Sequence, residues 1–141
     1  MSKLPFELDP RLKNDTQHVQ SLSLCDVLLM DDARFAWLVL VPRHAQLSEI
    51  ADLSLDAQAI LWREVHIASQ ALQDVAPRDK LNIGALGNIV RQLHVHVVAR
   101  REGDAAWPGP VWGSGKAEPY EASALNERIE RLRARLVRGV R

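Results

Sequence analysis

The sequence predicts an α+β domain with a mainly antiparallel sheet, one helix between strands and another at the C-terminus. Three observations carry this. Short apolar segments of strand length stand at 19–30, 35–41, 81–85 and 93–99. One stretch from Leu55 to Val75 carries apolar residues at helical spacing. The order is strands, helix, strands, helix, not the regular alternation of a parallel α/β sheet.

The first segment, Val19 to Met30, mixes Leu22, Leu24 and Val27 to Met30 with short polar residues and reads as a strand. Asp31 to Arg34 is a polar break of turn length, so this strand and the next form a hairpin. Phe35 to Val41 is apolar on both faces, the pattern of a central strand, and Pro42 ends it because proline cannot donate to a ladder. Ser54 is the N-cap of the long helix, and Asp56 suits its positive first turn. Leu61, Val65, Ala68, Leu72 and Val75 form its apolar face, and Pro77 stops it. Leu81 to Ala85 is a third strand, with Gly84 and Gly87 marking a turn or close approach. Leu93 to Ala99 alternates strictly and is a fourth. A Gly-, Pro- and Trp-rich stretch follows. The last helix starts at about Pro119, with Leu125, Ile129, Leu132 and Leu136 as its stripe.

The chain has 141 residues, enough for one domain with a core that needs no staples. We expect a single domain over 1–141, its core at about 6–101 and the Trp/Pro-rich segment and final helix at 102–141. Eighteen basic residues balance eighteen acidic ones. A strong non-specific grip on nucleic acid or an anionic membrane is therefore not expected. The basic end of the last helix, six arginines from Arg128 to Arg141, reads first as a solvated face and second as an RNA contact. Cys25 is the only cysteine and reads as a small core residue. The N-terminus has no apolar leader, and the longest apolar run has seven residues, so a cytoplasmic protein is expected.

The chemistry concentrates in Gln92-Leu93-His94-Val95-His96-Val97-Val98. Strand alternation puts Gln92, His94 and His96 on one face and Leu93, Val95 and Val97 on the other. Neutral imidazole is a competent nucleophile near neutral pH. Two close imidazoles resist double protonation, which keeps one neutral. A second ring can donate to a phosphoryl oxygen or leaving group. The plainer alternative is two surface histidines. Another is a metal site, for which two ligands are too few unless His44, Asp31 or Asp32 joins them.

This stretch resembles the histidine triad (HIT) superfamily of nucleotide hydrolases and transferases, whose motif alternates three histidines with apolar residues. The lead-in agrees: Asn82-Ile83-Gly84 and Gly87-Asn88-Ile89-Val90 resemble the family's Asn-x-Gly and Gly-Gln-x-Val. Leu38 to His44 resembles its apolar strand ending in Pro-Lys/Arg-x-His. The resemblance covers about Phe6 to Arg101. It implies a HIT-like fold, a homodimer, and a nucleotide substrate attacked at the α-phosphorus. His94 then occupies the place of the nucleophile that becomes nucleotidylated, and His96 that of the phosphate or leaving-group contact. Neither a cofactor nor a metal is implied.

The chain departs from that pattern at Gln92, where the family has its first histidine. The main-chain carbonyl there can still hold the nucleophile's other nitrogen. The side chain can donate to a phosphate oxygen but cannot shuttle a proton. Ile89 stands where Ser or Thr is common, and Asn88 where Gln is usual. We assign Gln92 and Asn88 to orienting phosphate, Gly87 to its loop, and Asn82 to the leaving-group side or to the loop carrying Gly84; the resemblance implies Asp31 or Asp32 for the ribose hydroxyls. His44 is expected near the phosphate side or behind it. Trp107 and Trp112 read as core or interface residues, or as a cover for a base. A non-catalytic nucleotide-binding module on the same fold is the main rival reading, and a metal-dependent enzyme using His94 and His96 the next.

Overall fold

The computed structural model describes residues 4–140, with side chains to residue 137. Arg138 and Arg141 of the basic tail lie outside the described side chains. The chain forms helix α1 (Pro10–Asp15), strands β1 (Thr16–Ser21), β2 (Cys25–Met30) and β3 (Ala36–Pro42), and helix α2 (Leu55–Val75). It continues with β4 (Lys80–Gly84), β5 (Val95–Arg100) and helix α3 (Ala122–Val140). The strands make one sheet in the order β1-β2-β3-β5-β4, with every neighbouring pair antiparallel. The α+β architecture follows the sequence, and β3 is central as its two apolar faces require.

Four details differ from expectation, one being that β5 starts at Val95 and not at Leu93. The segment 19–30 is two strands, because the chain reverses at 22–24. That reversal has no Gly or Pro. It is closed by Leu22 N–H donating to Cys25 O (2.8 Å) and by the buried carboxylate of Glu64 on α2. Glu64 accepts from the main-chain N–H groups of Leu24 (2.9 Å) and Cys25 (2.8 Å). Helix α1 is an additional element, capped by Asp9, whose Oδ1 accepts from Arg11 N–H, with Pro10 in the first turn. Helix α3 begins at Ala122, three residues beyond Pro119.

Sheet alternation divides the core. Val27 and Leu29 of β2, Leu38 and Leu40 of β3, and Val95 and Val97 of β5 pack toward the helices, against Leu61, Val65 and Leu72 of α2 and Leu132 and Leu136 of α3. Leu61, Leu72, Leu132 and Leu136 are inaccessible to solvent. Truncating any of them to Ala would cost about 2–5 kcal/mol. Cys25 is in this layer, as expected, and burial raises its thiol pKa well above the ordinary value. The opposite layer gathers Leu28, Trp37, Val39, Val41 and Val98 under Leu12 of α1 and Val111. This second layer is thinner, and it carries the histidines. Among the described residues no helix is long and apolar enough to cross a membrane.

Candidate functional site

Strand β5 positions the site. His96 lies between Val39 of β3 and Gly84 of β4 in register. Its alternation with Val95 and Val97 sends the imidazole away from the helices. His94 immediately precedes the strand, and its ring leans toward His96 with centroids 4.9 Å apart. Both are buried, His94 at 7 % and His96 at 5 % exposure. At that depth a ring nitrogen needs a partner, and the partners fix the tautomers.

His94 Nδ1 is 2.7 Å from the main-chain oxygen of Gln92. A carbonyl only accepts, so Nδ1 carries the proton and Nε2 keeps its lone pair. His96 Nδ1 is 3.0 Å from Trp37 Nε1. An indole N–H only donates, so Nδ1 accepts and Nε2 carries the proton. The two neighbouring rings are thus set in opposite senses, one offering a lone pair and the other an N–H. Burial, followed by the charge of His94, pulls the His96 pKa down to about 3. His96 is neutral at physiological pH.

A cavity of about 640 Å³ opens onto this pair, within the size range of small-molecule sites. Six residues picked out in the sequence line it together: Asp31, Asp32, Gly87, Asn88, His94 and His96. Gly87 has a φ of +75°, which only glycine adopts without strain. Asp32 is 1 % exposed and grips Arg34 through two hydrogen bonds of 3.0 and 2.8 Å. These bonds help hold its carboxyl below the ordinary value against the opposing effect of burial. Arg34 also donates to Ser114 O (2.9 Å), and Asp31 Oδ1 accepts from Tyr120 N–H (2.9 Å). The acidic pair therefore anchors the 114–120 segment along the cavity rim.

The other three predicted residues are placed differently. Gln92 precedes β5, and its side chain turns to the N-terminal segment. Oε1 accepts from Asp9 N–H (2.8 Å) and Nε2 donates to Glu7 O (2.8 Å). Gln92 lines a neighbouring pocket of about 290 Å³ that also reaches His94. Asn82 is not on the 640 Å³ cavity's wall. Its Oδ1 accepts from Arg100 Nη1 (2.9 Å). His44 is exposed beyond β3 and lines neither pocket.

Further residues complete the site, and of these only Trp112 is singled out by the sequence, as core, interface or a cover for a base. Trp37 orients His96. Trp112 lies 5.3 Å from His96, ring centroid to ring centroid and edge-on, and meets the hydrogen face of Gly84, where a Cβ would stand 3.2 Å from its Cη2. Leu12, Asn14 and Asp15 bring α1 to the cavity. Arg100, 2 % exposed, donates to both carboxylate oxygens of Asp104 (2.8 and 3.0 Å) and to Gly109 O (2.8 Å), which fixes the loop leading to Trp112. The Arg100 hydrogen bonds are the main reason the Asp104 pKa falls to about 2. The Trp37 signal was available: it is the one polar-edged side chain in an otherwise aliphatic strand.

Comparison with known proteins bears out the fold. No curated protein matches the chain. A family model described as HIT domain matches residues 11–103. The fold is similar to that of a histidine triad protein from Bradyrhizobium japonicum, with 46 % identity and a TM-score of 0.92, over 94 % of this chain and 99 % of that one. It is similar to a histidine triad protein from Sinorhizobium meliloti, with 48 % identity and a TM-score of 0.90, over 92 % and 96 %. A histidine triad protein from Marinobacter aquaeolei is similar at 40 % identity and a TM-score of 0.92, over 95 % and 98 %. On the family match and these three likenesses, the chain belongs to the histidine triad (HIT) domain family.

Proposed function

We propose that the protein is a nucleotide hydrolase or nucleotidyl transferase that works through a covalent nucleotidyl-histidine on His94. The observation that supports this is the opposed setting of the two rings on one cavity wall. The His94 Nε2 lone pair attacks the α-phosphorus, and the bond from phosphorus to the leaving group breaks with its electron pair. The ring, now positive, keeps its Nδ1–H on the Gln92 carbonyl, which stabilises that charge. His96 Nε2–H donates to a phosphoryl oxygen. Asn88 and the Gly87 loop face the phosphates, and Asp31 takes the ribose hydroxyls. Water or another acceptor then attacks phosphorus, the N–P bond breaks, and the pair returns to His94 Nε2. Gln92 enters through its main-chain oxygen, Asn82 through Arg100 and the loop beyond it, and His44 has no part.

Incubation with diadenosine tetraphosphate followed by mass spectrometry of the intact protein tests the reading. An adenylyl adduct on His94, lost with turnover in His94→Ala, is the expected result. Unchanged turnover in His94→Ala would overturn it. One observation favours a second reading, a module that binds nucleotide without turning it over: the Gln92 amide is turned to Glu7 and Asp9. Calorimetric binding with no adduct and no turnover would support that. The metal-dependent reading loses ground on chemistry. To ligate a metal through Nε2, His96 would have to move its proton to Nδ1, against the Trp37 N–H. No cluster of three or more ligand-type side chains forms among the described residues. As part of the same proposal the protein works as a homodimer. Ile83 on edge strand β4 and nearby Leu86 are exposed and available to an interface, and sedimentation would decide it.

A further inference from the structure

The two positions flanking the nucleophile are the natural places for a proton donor, and neither can supply one. At the first, Gln92 has no ionisable proton. Its amide is also turned to the N-terminal segment, presenting an acceptor and a donor side by side to Asp9 N–H and Glu7 C=O, as a peptide group would in a sheet. At the second, His96 has its Nδ1 lone pair occupied by the Trp37 N–H. Giving up its Nε2 proton would leave an imidazolate facing that N–H. His96 is therefore a hydrogen-bond donor and not an acid. Glu49 lines the neighbouring pocket that reaches His94, and among the described residues the remaining titratable side chains on the cavity wall are Asp15, Asp31, Asp32 and Arg34. All three carboxylates already accept hydrogen bonds: Asp15 from Asn14 Nδ2, Asp31 from Tyr120 N–H, Asp32 from Arg34.

From this we infer that the site takes substrates whose leaving group departs as a stable anion, nucleotide phosphoanhydrides, and discriminates against nucleoside phosphoramidates, whose amine must be protonated to leave. The inference rests on the nucleotidyl-histidine reading and narrows its substrate class. With a phosphoanhydride the step closes without an acid. The N–P bond forms from the His94 Nε2 pair, the bridging P–O bond breaks, and its pair stays on the departing phosphate. With a phosphoramidate the same step would expel an amide anion unless a proton arrives on nitrogen.

Trp37 makes the idea testable within the protein. Trp37→Phe keeps an aromatic ring but removes the N–H, leaving His96 Nδ1 free to take a proton. Gln92→Ala removes the amide and should not change leaving-group preference, since the amide gives no proton. The experiment measures kcat/KM for diadenosine tetraphosphate and for adenosine 5′-phosphoramidate with wild type and both variants at neutral pH. Wild type should prefer the anhydride by about a thousandfold or more. Gln92→Ala should keep that ratio even if both rates fall. Trp37→Phe should narrow it by about tenfold or more, chiefly through kcat for the phosphoramidate. Wild-type rates within tenfold of each other, or an unchanged ratio in Trp37→Phe, would overturn the inference while leaving the nucleotidyl-histidine intact. Absence of turnover and adduct with both substrates would overturn the underlying reading, and this inference with it.

Discussion

Neutral His96 makes the fold acid-sensitive in a window set by one side chain. Its folded pKa is about 3, against 6.5 for the free group, with burial as the first cause and the charge of His94 as the second. Below pH 6.5 the unfolded chain binds a proton that the folded protein refuses, so stability falls as pH falls, until the folded pKa is reached. Well inside the window each unit costs about 1.4 kcal/mol, and going from pH 7 to 4.5 removes about 2.6 kcal/mol. The perturbation that isolates this is His96→Gln, which does not titrate and retains an oxygen to accept the Trp37 N–H. Urea unfolding of both proteins at pH 7 and pH 4.5 gives the comparison. Wild type should lose more than the variant by about 2–3 kcal/mol, whatever their absolute stabilities. Asp104, Asp9 and Asp32 also have lowered pKa values, and lose their contribution in the same direction. Their window lies mainly below 4, and both proteins share it. Equal acid losses in the two proteins would refute the buried neutral histidine and the tautomer argument built on it.

Three further substitutions probe the supports. Glu64→Gln turns an acceptor pair into one acceptor and one donor facing two main-chain N–H groups, and should cost about 1–3 kcal/mol in urea unfolding; a cost below about 0.5 kcal/mol would mean water replaces it. Asp104→Ala leaves Arg100 buried without its carboxylate and should cost about 3–5 kcal/mol, with lower activity as the loop to Trp112 loosens; near-wild-type stability would show that Asn82 and Gly109 suffice. Gly84→Ala places a methyl 3.2 Å from Trp112 Cη2, so the indole must yield by a few tenths of an ångström. A shift in tryptophan emission with little change in unfolding midpoint is expected, and an unchanged spectrum would show that the strand yields instead.

What could be read from the sequence, and what could not, divides along the reach of the interactions. Period-two alternation is local, so the opposed faces of Val95, His96 and Val97 were visible, as were the Ser54 cap and the two-sided burial of β3. The β1–β2 reversal was not. Its stabilising group is Glu64, about forty residues away and indistinguishable in sequence from any other polar position on a helix. Helix α1 did carry a local signal, Asp9 before Pro10, and it was overlooked.

Gln92 is the instructive case. Extending the alternation backward from β5 put its side chain with the histidines, but the strand starts at Val95 and the extrapolation ran past its end. The main chain of Gln92 does hold His94 as the resemblance implied, while its side chain pairs with residues more than eighty positions away. Gln92 therefore does two things at once. It puts a side chain with no titratable ring before His94, and it ties the segment leading into α1 to the residue whose carbonyl orients the His94 ring. Arg11 extends the tie by donating to Ile89 O (3.0 Å) in the cavity loop. Replacing it by histidine, Gln92→His, would not simply add a third ring to the pair. The donor and acceptor of a neutral imidazole point in divergent directions and cannot face Glu7 C=O and Asp9 N–H side by side, so any proton gained at the site would come with the loss of that attachment.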